Sequence, residues 1–134
     1  MILIVLAAGK GSRLPARFRT KPKCMVKINK KKIIEYNVNF FKKFKKKIII
    51  TGYKNFYLKK FIKKNNFIEI YNKNYFKTNM VYSMFLAHKF VNQDTVVVYG
   101  DIIFSSKIYK LLEENKNIIP ANKNWLKIGL AEWE

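Results

Sequence analysis

Cysteine and long apolar runs are both scarce in this sequence. Cys24 is the only cysteine, so an intrachain disulfide is excluded and a reducing compartment, by default the cytoplasm, is expected. We interpret Cys24, which lies in an apolar stretch, as a small buried residue without a reactive thiolate. No apolar run approaches the roughly 20 residues that a membrane-spanning helix needs, so we expect no membrane partner.

Acidic residues are also few, with 8 Asp and Glu against 28 Lys and Arg, which gives a net charge of +20. Such a charge favours polyanionic partners, either nucleic acid or a small phosphorylated substrate. However, arginine occurs only at Arg13, Arg17 and Arg19, whereas proteins that read nucleic-acid bases favour the arginine fork. We therefore expect no nucleic-acid partner, and we interpret most lysine runs as solvated surface.

Apolar residues make up 49% of the chain, enough to predict a folded globule rather than a disordered segment. The length of 134 residues fits one domain with a modest core. No internal repeat and no low-complexity linker interrupts the sequence. We therefore predict a single domain over residues 1–134.

Strand and helix patterns alternate along the chain. The first eight residues form an apolar run that ends at glycines, which is typical of a parallel strand buried on both faces. The further predicted elements are helix 33–44, strand 47–51, helix 55–64, strand 67–71, a helix capped by Thr78 that turns Val81, Met84, Phe85 and His88 inward, strand 95–99, a helix capped by Ser105, and strand 117–121. This alternation predicts an α/β fold, a three-layer α/β/α sandwich with a mostly parallel, Rossmann-like sheet whose ligands bind at the carboxyl ends of the strands.

The most informative motif follows the first strand. It reads Leu6-Ala7-Ala8-Gly9-Lys10-Gly11-Ser12-Arg13, and Lys23 follows within Thr20-Lys21-Pro22-Lys23. Glycines without Cβ atoms let backbone N–H groups approach phosphate oxygens, and Arg13 and Lys23 can neutralise charge on a phosphoryl group. The motif lacks the third glycine of a dinucleotide fingerprint and the ending of a Walker loop. A triphosphate-binding loop is expected, with a tight turn that binds no ligand as the alternative.

Asp101 directly follows the strand 95–99 and Gly100. Its carboxylate is therefore expected at the same sheet edge as the glycine loop, where a cation can bridge carboxylate and phosphate oxygens. The alternative is an aspartate that serves turn chemistry alone.

The glycine motif, the K-P-K element and Asp101 together resemble the sugar-nucleotidyltransferase-like superfamily, which includes MobA-like NTP transferases and the phosphocholine-type cytidylyltransferases. The resemblance implies a GT-A-like sheet, a loop from Leu6 to Ser12 that binds the triphosphate, transfer assisted by Arg13 and Lys23, and Mg²⁺ held by Asp101. Two further segments, Thr51-Gly52-Tyr53 and Thr78 to Ser83, also resemble the family. The resemblance implies base and acceptor contacts at Gly52, Tyr53, Asn79 and Ser83, although the start of a helix favours asparagine and serine without any ligand.

The resemblance implies a nucleotidyltransferase that transfers CMP from CTP to phosphocholine or a sugar phosphate in cell-surface polysaccharide biosynthesis, releasing pyrophosphate. Residues 122–125 and the segment from Thr78 look more like the phosphocholine-type cytidylyltransferases than the hexose-1-phosphate enzymes, so the resemblance favours CTP. The resemblance covers only the N-terminal half, or somewhat more, of a typical member, whose second acidic metal ligand comes later, so a truncated chain is expected. The alternatives are a non-catalytic nucleotide-binding module and a basic protein that binds nucleic acid.

Overall fold

The computed structural model describes residues 1–91, 94–105, 107–114 and 119. The chain divides into two compact units, Met1–Phe104 and Ser105–Glu134. The predicted strand 117–121 and the segment 122–125 lie outside the described residues, apart from Ile119. The single domain over residues 1–134 therefore stays a prediction.

The first unit is built on a central parallel sheet. In chain order, the strands of this unit are β1 (Ile2–Ala7), β2 (Lys27–Ile28), β3 (Lys31–Lys32), β4 (Lys46–Thr51), β5 (Ile68–Tyr71) and β6 (Thr95–Tyr99). The four-stranded sheet has the order β5-β4-β1-β6, and all three of its pairings are parallel. The order of the strands reverses between β1 and β6. Such a reversal opens a crevice at the carboxyl ends of the two strands.

Helices of the first unit flank this sheet, and the second unit contains one further described helix. In chain order they are α1 (Ile33–Tyr36), α2 (Val38–Phe41), α3 (Lys59–Lys64) and α4 (Met80–Phe85) in the first unit and α5 (Ile108–Glu114) in the second. Within the second unit, the Lys107 backbone N–H donates to Ser105 Oγ at 3.3 Å, close to the start of α5. The predicted α/β fold with a mostly parallel, Rossmann-like sheet is confirmed.

The core follows directly from the strand sequences. Residues Ile2 to Val5 of β1 are fully buried on both faces, as the continuous apolar run predicts. On one face, Ile2 and Ile4 pack with Ile48, Ile50 and Ala87. β1 therefore lies in the buried interior of the sheet, and the glycine loop follows directly from it.

The predicted helix 33–44 is wrong in one respect, because it is interrupted at Asn37. The fully buried Asn37 separates α1 from α2, and its side-chain amide bonds to backbone groups near residue 102 instead of facing solvent. The K-P-K element leads into a segment that does not join the central sheet. A 3-10 turn, Lys23–Met25, is followed by the short β2–β3 hairpin, whose turn places Asn29 and Lys30 at positive φ.

The predicted start and orientation of α4 are wrong as well. Asn79, and not Thr78, caps the helix, because the Asn79 side-chain oxygen accepts the Tyr82 backbone N–H at 3.0 Å. Val81, Phe85 and His88 are exposed, whereas Ser83 and Ala87 are buried. The smaller side chains face the sheet because α4 is short and lies close to β1.

Candidate functional site

A cavity of about 230 Å³ lies where β1 and β6 end and α4 begins. We call it the strand-end cavity. Its lining residues are Leu6, Ala7, Ala8, Gly9, Lys23, Cys24, Tyr75, Thr78, Asn79, Met80, Ser83, Tyr99 and Asp101. Eight of the thirteen, from Leu6 to Gly9 with Lys23, Asn79, Ser83 and Asp101, are site residues predicted from the sequence.

The two glycines of the loop have different roles in the fold. A Cβ atom on Gly9 would meet no heavy atom within 4 Å, so the protein's own packing does not require glycine there. Gly11 has φ +72°, and a Cβ atom on it would lie 2.9 Å from Leu14 Cδ1 and 3.2 Å from Lys23 Cγ. Gly11 is therefore needed for the turn itself. The absent side chain of Gly9 instead leaves the cavity wall open to a ligand.

Lys23 bonds to this loop through its backbone, and it lines the cavity. The Lys23 backbone N–H donates to the Gly9 carbonyl at 3.2 Å. Its ammonium lies 2.5 Å from Asp101 Oδ2, with side-chain exposures of 44% and 19% for Lys23 and Asp101. The loop after β1 and the loop after β6 therefore meet through a half-exposed ion pair that borders the cavity.

Cys24 lies beneath this ion pair with 2% exposure. Burial, together with the negative charge of Asp101, raises the pKa of the Cys24 thiol to about 12. The thiol is therefore protonated at neutral pH and is a poor nucleophile. This agrees with its interpretation as a buried structural residue.

The wall of the cavity formed by α4 is held together by internal hydrogen bonds. Asn72, which is 1% exposed, donates from Nδ2 to Thr78 Oγ1 and to Ser83 Oγ, both at 3.0 Å. Thr78 Oγ1 in turn donates to the Asn74 carbonyl at 2.9 Å, and Ser83 Oγ donates to the Asn79 carbonyl at 3.3 Å. The hydroxyl groups of Thr78 and Ser83 thus shape the wall and already have partners within it.

The other predicted site residues lie outside the lining of the cavity. Lys10, Gly11, Ser12 and Arg13 continue the loop beyond Gly9, and Ser12 and Arg13 are exposed. Tyr53 lies behind the loop, where its N–H donates to the Ala8 carbonyl at 3.1 Å and its hydroxyl donates to the Arg19 carbonyl at 2.8 Å.

Gly52 acts through a neighbouring aromatic residue. A Cβ atom on Gly52 would lie 2.6 Å from Tyr75 Cβ, and the rings of Tyr53 and Tyr75 pack edge to face with centroids 6.1 Å apart. Gly52 thus leaves room for Tyr75, which lines the cavity. The Thr51-Gly52-Tyr53 segment supports the cavity from outside.

Several lining residues were not predicted from the sequence. Tyr75, Met80 and Tyr99 form an aromatic and sulfur-containing part of the wall, in which the Tyr99 hydroxyl contacts the Met80 sulfur. Tyr99 could have been predicted, because it is the last residue of β6 and Asp101 follows two positions later. Tyr75 and the buried Asn72 depend on contacts that no local pattern indicates.

Within the described part of the chain, no group of three or more His, Cys, Asp or Glu residues is arranged to hold a metal ion. Among the described residues that line the strand-end cavity, Asp101 is the one carboxylate. The helices of the described ranges include none that is long and apolar enough to cross a membrane.

The sequence and the fold match known proteins. The family of the MobA-like NTP transferase domain matches residues 3–121. A CTP:phosphoglutamine cytidylyltransferase from Campylobacter jejuni is 35% identical, with 96% of this chain and 55% of that protein covered. A choline-phosphate cytidylyltransferase from Streptococcus pneumoniae is 31% identical, with 79% of this chain and 47% of that protein covered.

Solved structures give the same result. A CTP:phosphocholine cytidylyltransferase from Streptococcus pneumoniae superposes with a TM-score of 0.68 at 31% identity and covers 75% of this chain and 45% of its own. A putative glucose-1-phosphate thymidylyltransferase from Bacillus anthracis superposes with a TM-score of 0.72 at 26% identity, with 85% and 50% covered. The chain spans about half the length of these relatives.

Proposed function

The chain belongs to the MobA-like NTP transferase family, and from this premise we propose that it carries the nucleotide-binding part of a Mg²⁺-dependent cytidylyltransferase. The proposed reaction transfers CMP from CTP to a small phosphorylated acceptor and releases pyrophosphate. The cytoplasm, where a free buried thiol persists, is the proposed location.

One observation carries this proposal. A lysine and an aspartate from two different loops, Lys23 and Asp101, meet at the border of a cavity whose wall is opened by Gly9. A cation beside an exposed backbone suits phosphate oxygens, and a carboxylate at the same place suits a metal ion that accompanies them. These are the two kinds of group that a metal–nucleotide complex requires.

The size of the cavity supports a division of the nucleotide between two regions. At about 230 Å³, the cavity is smaller than the roughly 300–1,000 Å³ of typical small-molecule sites. We assign the nucleoside to the cavity beside Tyr75 and Tyr99, and the phosphates to the loop that continues past Gly9. The exposed Arg13 lies on this loop and is available to phosphates outside the cavity.

In the proposed reaction, a phosphate oxygen of the acceptor attacks the α-phosphorus of CTP in line with the departing pyrophosphate. The new P–O bond forms as the bond between the α-phosphorus and its bridging oxygen breaks. No covalent enzyme intermediate is needed. Lys23 and Arg13 stabilise the negative charge that gathers on the phosphoryl oxygens and on the leaving group.

The residues present fit a magnesium ion that the nucleotide brings with it. Mg²⁺ is usually held by one or two carboxylates together with substrate phosphates, and Asp101 supplies one such carboxylate at the cavity. The ion, when bound, neutralises phosphate charge. Lys23 pairs with Oδ2 of Asp101 and would release that oxygen to the ion, so that its ammonium could pair with the phosphates instead.

The choice of CTP and of the acceptor class is supported by the relatives. The Campylobacter jejuni protein is named for CTP and phosphoglutamine, and the Streptococcus pneumoniae protein for choline phosphate. Both names describe a small phosphorylated acceptor. We extend that class to this chain, with sugar phosphates as a further member.

A second candidate function is a nucleotide-binding module without catalytic activity. It is favoured by the observation that, in the part of the chain that the structure describes, a single carboxylate lines the strand-end cavity. Such a module would bind CTP with Mg²⁺ and would not release pyrophosphate.

The test is an assay of pyrophosphate release with CTP, UTP or GTP, Mg²⁺ and a panel of acceptors that includes phosphocholine, phosphoglutamine and sugar 1-phosphates. We expect release with CTP and one phosphorylated acceptor, and none with the dephosphorylated acceptor. If no nucleotide and acceptor of the panel gives pyrophosphate release while the chain still binds nucleotide, the proposed transferase activity is contradicted and the non-catalytic module is favoured.

A further inference from the structure

A second buried asparagine, Asn37, lies outside the strand-end cavity. It is 1% exposed and stands between α1 and α2 in a segment that otherwise supplies apolar side chains to the core, such as Ile34 and Phe40. An apolar residue at this position would continue the helix, whereas asparagine is a weaker helix former and is costly to bury without partners. Packing alone therefore does not explain why asparagine occupies position 37.

The contacts of Asn37 supply that reason. Its Nδ2 donates to the Ile102 carbonyl at 2.6 Å, and its Oδ1 accepts the Phe104 backbone N–H at 3.3 Å. One side chain thus bonds to the backbone on both sides of Ile103. Asparagine suits this task because its amide presents a donor and an acceptor side by side.

The segment that Asn37 holds begins directly after Asp101. Ile102 and Ile103 are 50% and 46% exposed, so their side chains bury little apolar surface next to the carboxylate. Phe104 packs edge to face on Phe40, with ring centroids 4.8 Å apart. The Asn37 amide and this aromatic contact fix the loop to the segment that contains α1 and α2.

We propose that Asn37 is a positioning residue for Asp101: it fixes the backbone of residues 102–104 so that the carboxylate stays at the strand-end cavity. This inference rests on the proposed function, because the metal role of Asp101 is part of it. Residues that orient metal ligands without touching the metal typically contribute about 10- to 100-fold to metal affinity or activity.

The test compares Asn37→Ala with Asn65→Ala in the whole chain. Asn65 is a matched control, because its amide donates to the Phe61 carbonyl at 2.8 Å, it is partly buried, and it does not line the strand-end cavity. Two quantities are measured: hydrogen exchange of individual backbone amides, and Mn²⁺ binding in the presence of CTP by electron paramagnetic resonance.

Asn37→Ala is expected to speed exchange of the Phe104 amide by roughly five- to tenfold, because that amide loses its acceptor. Exchange of the β4 amides stays unchanged, so the effect is local. Mn²⁺ affinity in the CTP complex falls by about tenfold or more. Asn65→Ala leaves both quantities as in the wild type.

Unchanged Mn²⁺ affinity in Asn37→Ala, or unchanged exchange at Phe104, would overturn the positioning role. Asn37→Ser is made in parallel. Should the alanine variant not fold, the serine variant is expected to give the same two changes to a smaller extent, and wild-type values in it would also overturn the proposal. The variant Asp101→Asn distinguishes failure of the proposed function from failure of the positioning role. Wild-type Mn²⁺ affinity in this variant would contradict the proposed metal role of Asp101. Hydrogen exchange of the Phe104 amide in Asn37→Ala would still test the Asn37 contact.

Discussion

Two lysine–carboxylate pairs lie at opposite sides of the central sheet, and they differ in how the carboxylate is surrounded. Glu69 on β5 contacts Lys59 and also accepts hydrogen bonds from Thr51 at 2.6 Å and Asn55 at 3.0 Å. Asp101 after β6 pairs with Lys23 through one oxygen and borders the strand-end cavity. The Glu69 carboxylate is thus surrounded by three side-chain donors, whereas the Asp101 carboxylate borders the strand-end cavity.

The pKa of Glu69 reflects this enclosure. Burial alone would raise the pKa, but the hydrogen bonds from Lys59, Thr51 and Asn55 outweigh it and lower the pKa below its ordinary value of 4.5. Glu69 is thus a structural carboxylate that ties α3 to the edge of the sheet. Asp101 instead borders the strand-end cavity, and we propose that it exchanges Lys23 for a ligand there. The two ion pairs therefore differ in their surroundings, and the proposed function rests on that difference.

The largest expected effect is on turnover. Lys23→Ala removes the cation that we propose to stabilise the transferring phosphoryl group, so we expect pyrophosphate release to slow by on the order of a hundredfold or more. Nucleotide binding suffers less. Lys21→Ala is the control, because Lys21 is exposed and its ammonium lies over the Tyr57 ring at 5.5 Å. Equal rates of pyrophosphate release for the two variants would contradict a role of Lys23 in the transfer.

A smaller effect, on stability, is expected to distinguish the two glycines of the loop after β1. Gly11→Ala places a Cβ atom at positive φ and within 2.9 Å of Leu14, so we expect a loss of roughly 1–3 kcal/mol in the free energy of unfolding. Gly9→Ala meets no neighbour, and its stability should stay within about 0.5 kcal/mol of wild type. Its CTP affinity should fall, because the new methyl group faces the cavity. Chemical unfolding and calorimetric titration measure the two quantities.

Glu69→Gln is expected to lower the free energy of unfolding by about 1 kcal/mol at neutral pH, since it weakens a charge-assisted hydrogen-bond group. The pKa of Glu69 is lower in the folded chain than its ordinary value of 4.5. The ionised carboxylate therefore stabilises the fold at pH values above 4.5, and this stabilisation is lost as the pH falls through the pKa of the folded chain. The difference between variant and wild type should therefore vanish in acid. CTP binding stays unchanged, and a loss of binding would show that Glu69 belongs to the site.

The smallest expected effect is an absence of reaction. The pKa of about 12 keeps the Cys24 thiol protonated, so iodoacetamide should leave the folded chain unmodified at neutral pH and react only after unfolding. Mass spectrometry detects the adduct. Rapid alkylation of the folded chain would contradict the burial of Cys24 beneath the Lys23–Asp101 pair.

The sequence was sufficient for the central strands and for the charged side of the site. β1, β4 and β6 are short apolar runs, and carboxyl ends of parallel strands meet at one edge, which brings Gly9, Lys23 and Asp101 together. These features depend on local pattern and on a general rule of topology.

The sequence was insufficient where long-range polar contacts decide the structure. The break at Asn37 arises from partners 65 and 67 residues away, which helical periodicity cannot indicate. The orientation of α4 depends on Ser83, whose hydroxyl bonds to the buried Asn72. The apolar spacing therefore predicted that Val81 and Phe85 face the core, whereas both are exposed.

The central claim is that Asp101 exchanges Lys23 for a metal ion that accompanies the nucleotide. The most direct test is calorimetric titration of the chain with CTP in Mg²⁺ and in EDTA, with Asp101→Asn and Glu69→Gln alongside. We predict that Mg²⁺ strengthens CTP binding to the wild type and to Glu69→Gln, and not to Asp101→Asn. Equal CTP affinity with and without Mg²⁺ in the wild type, or an equal gain in Asp101→Asn, would contradict it.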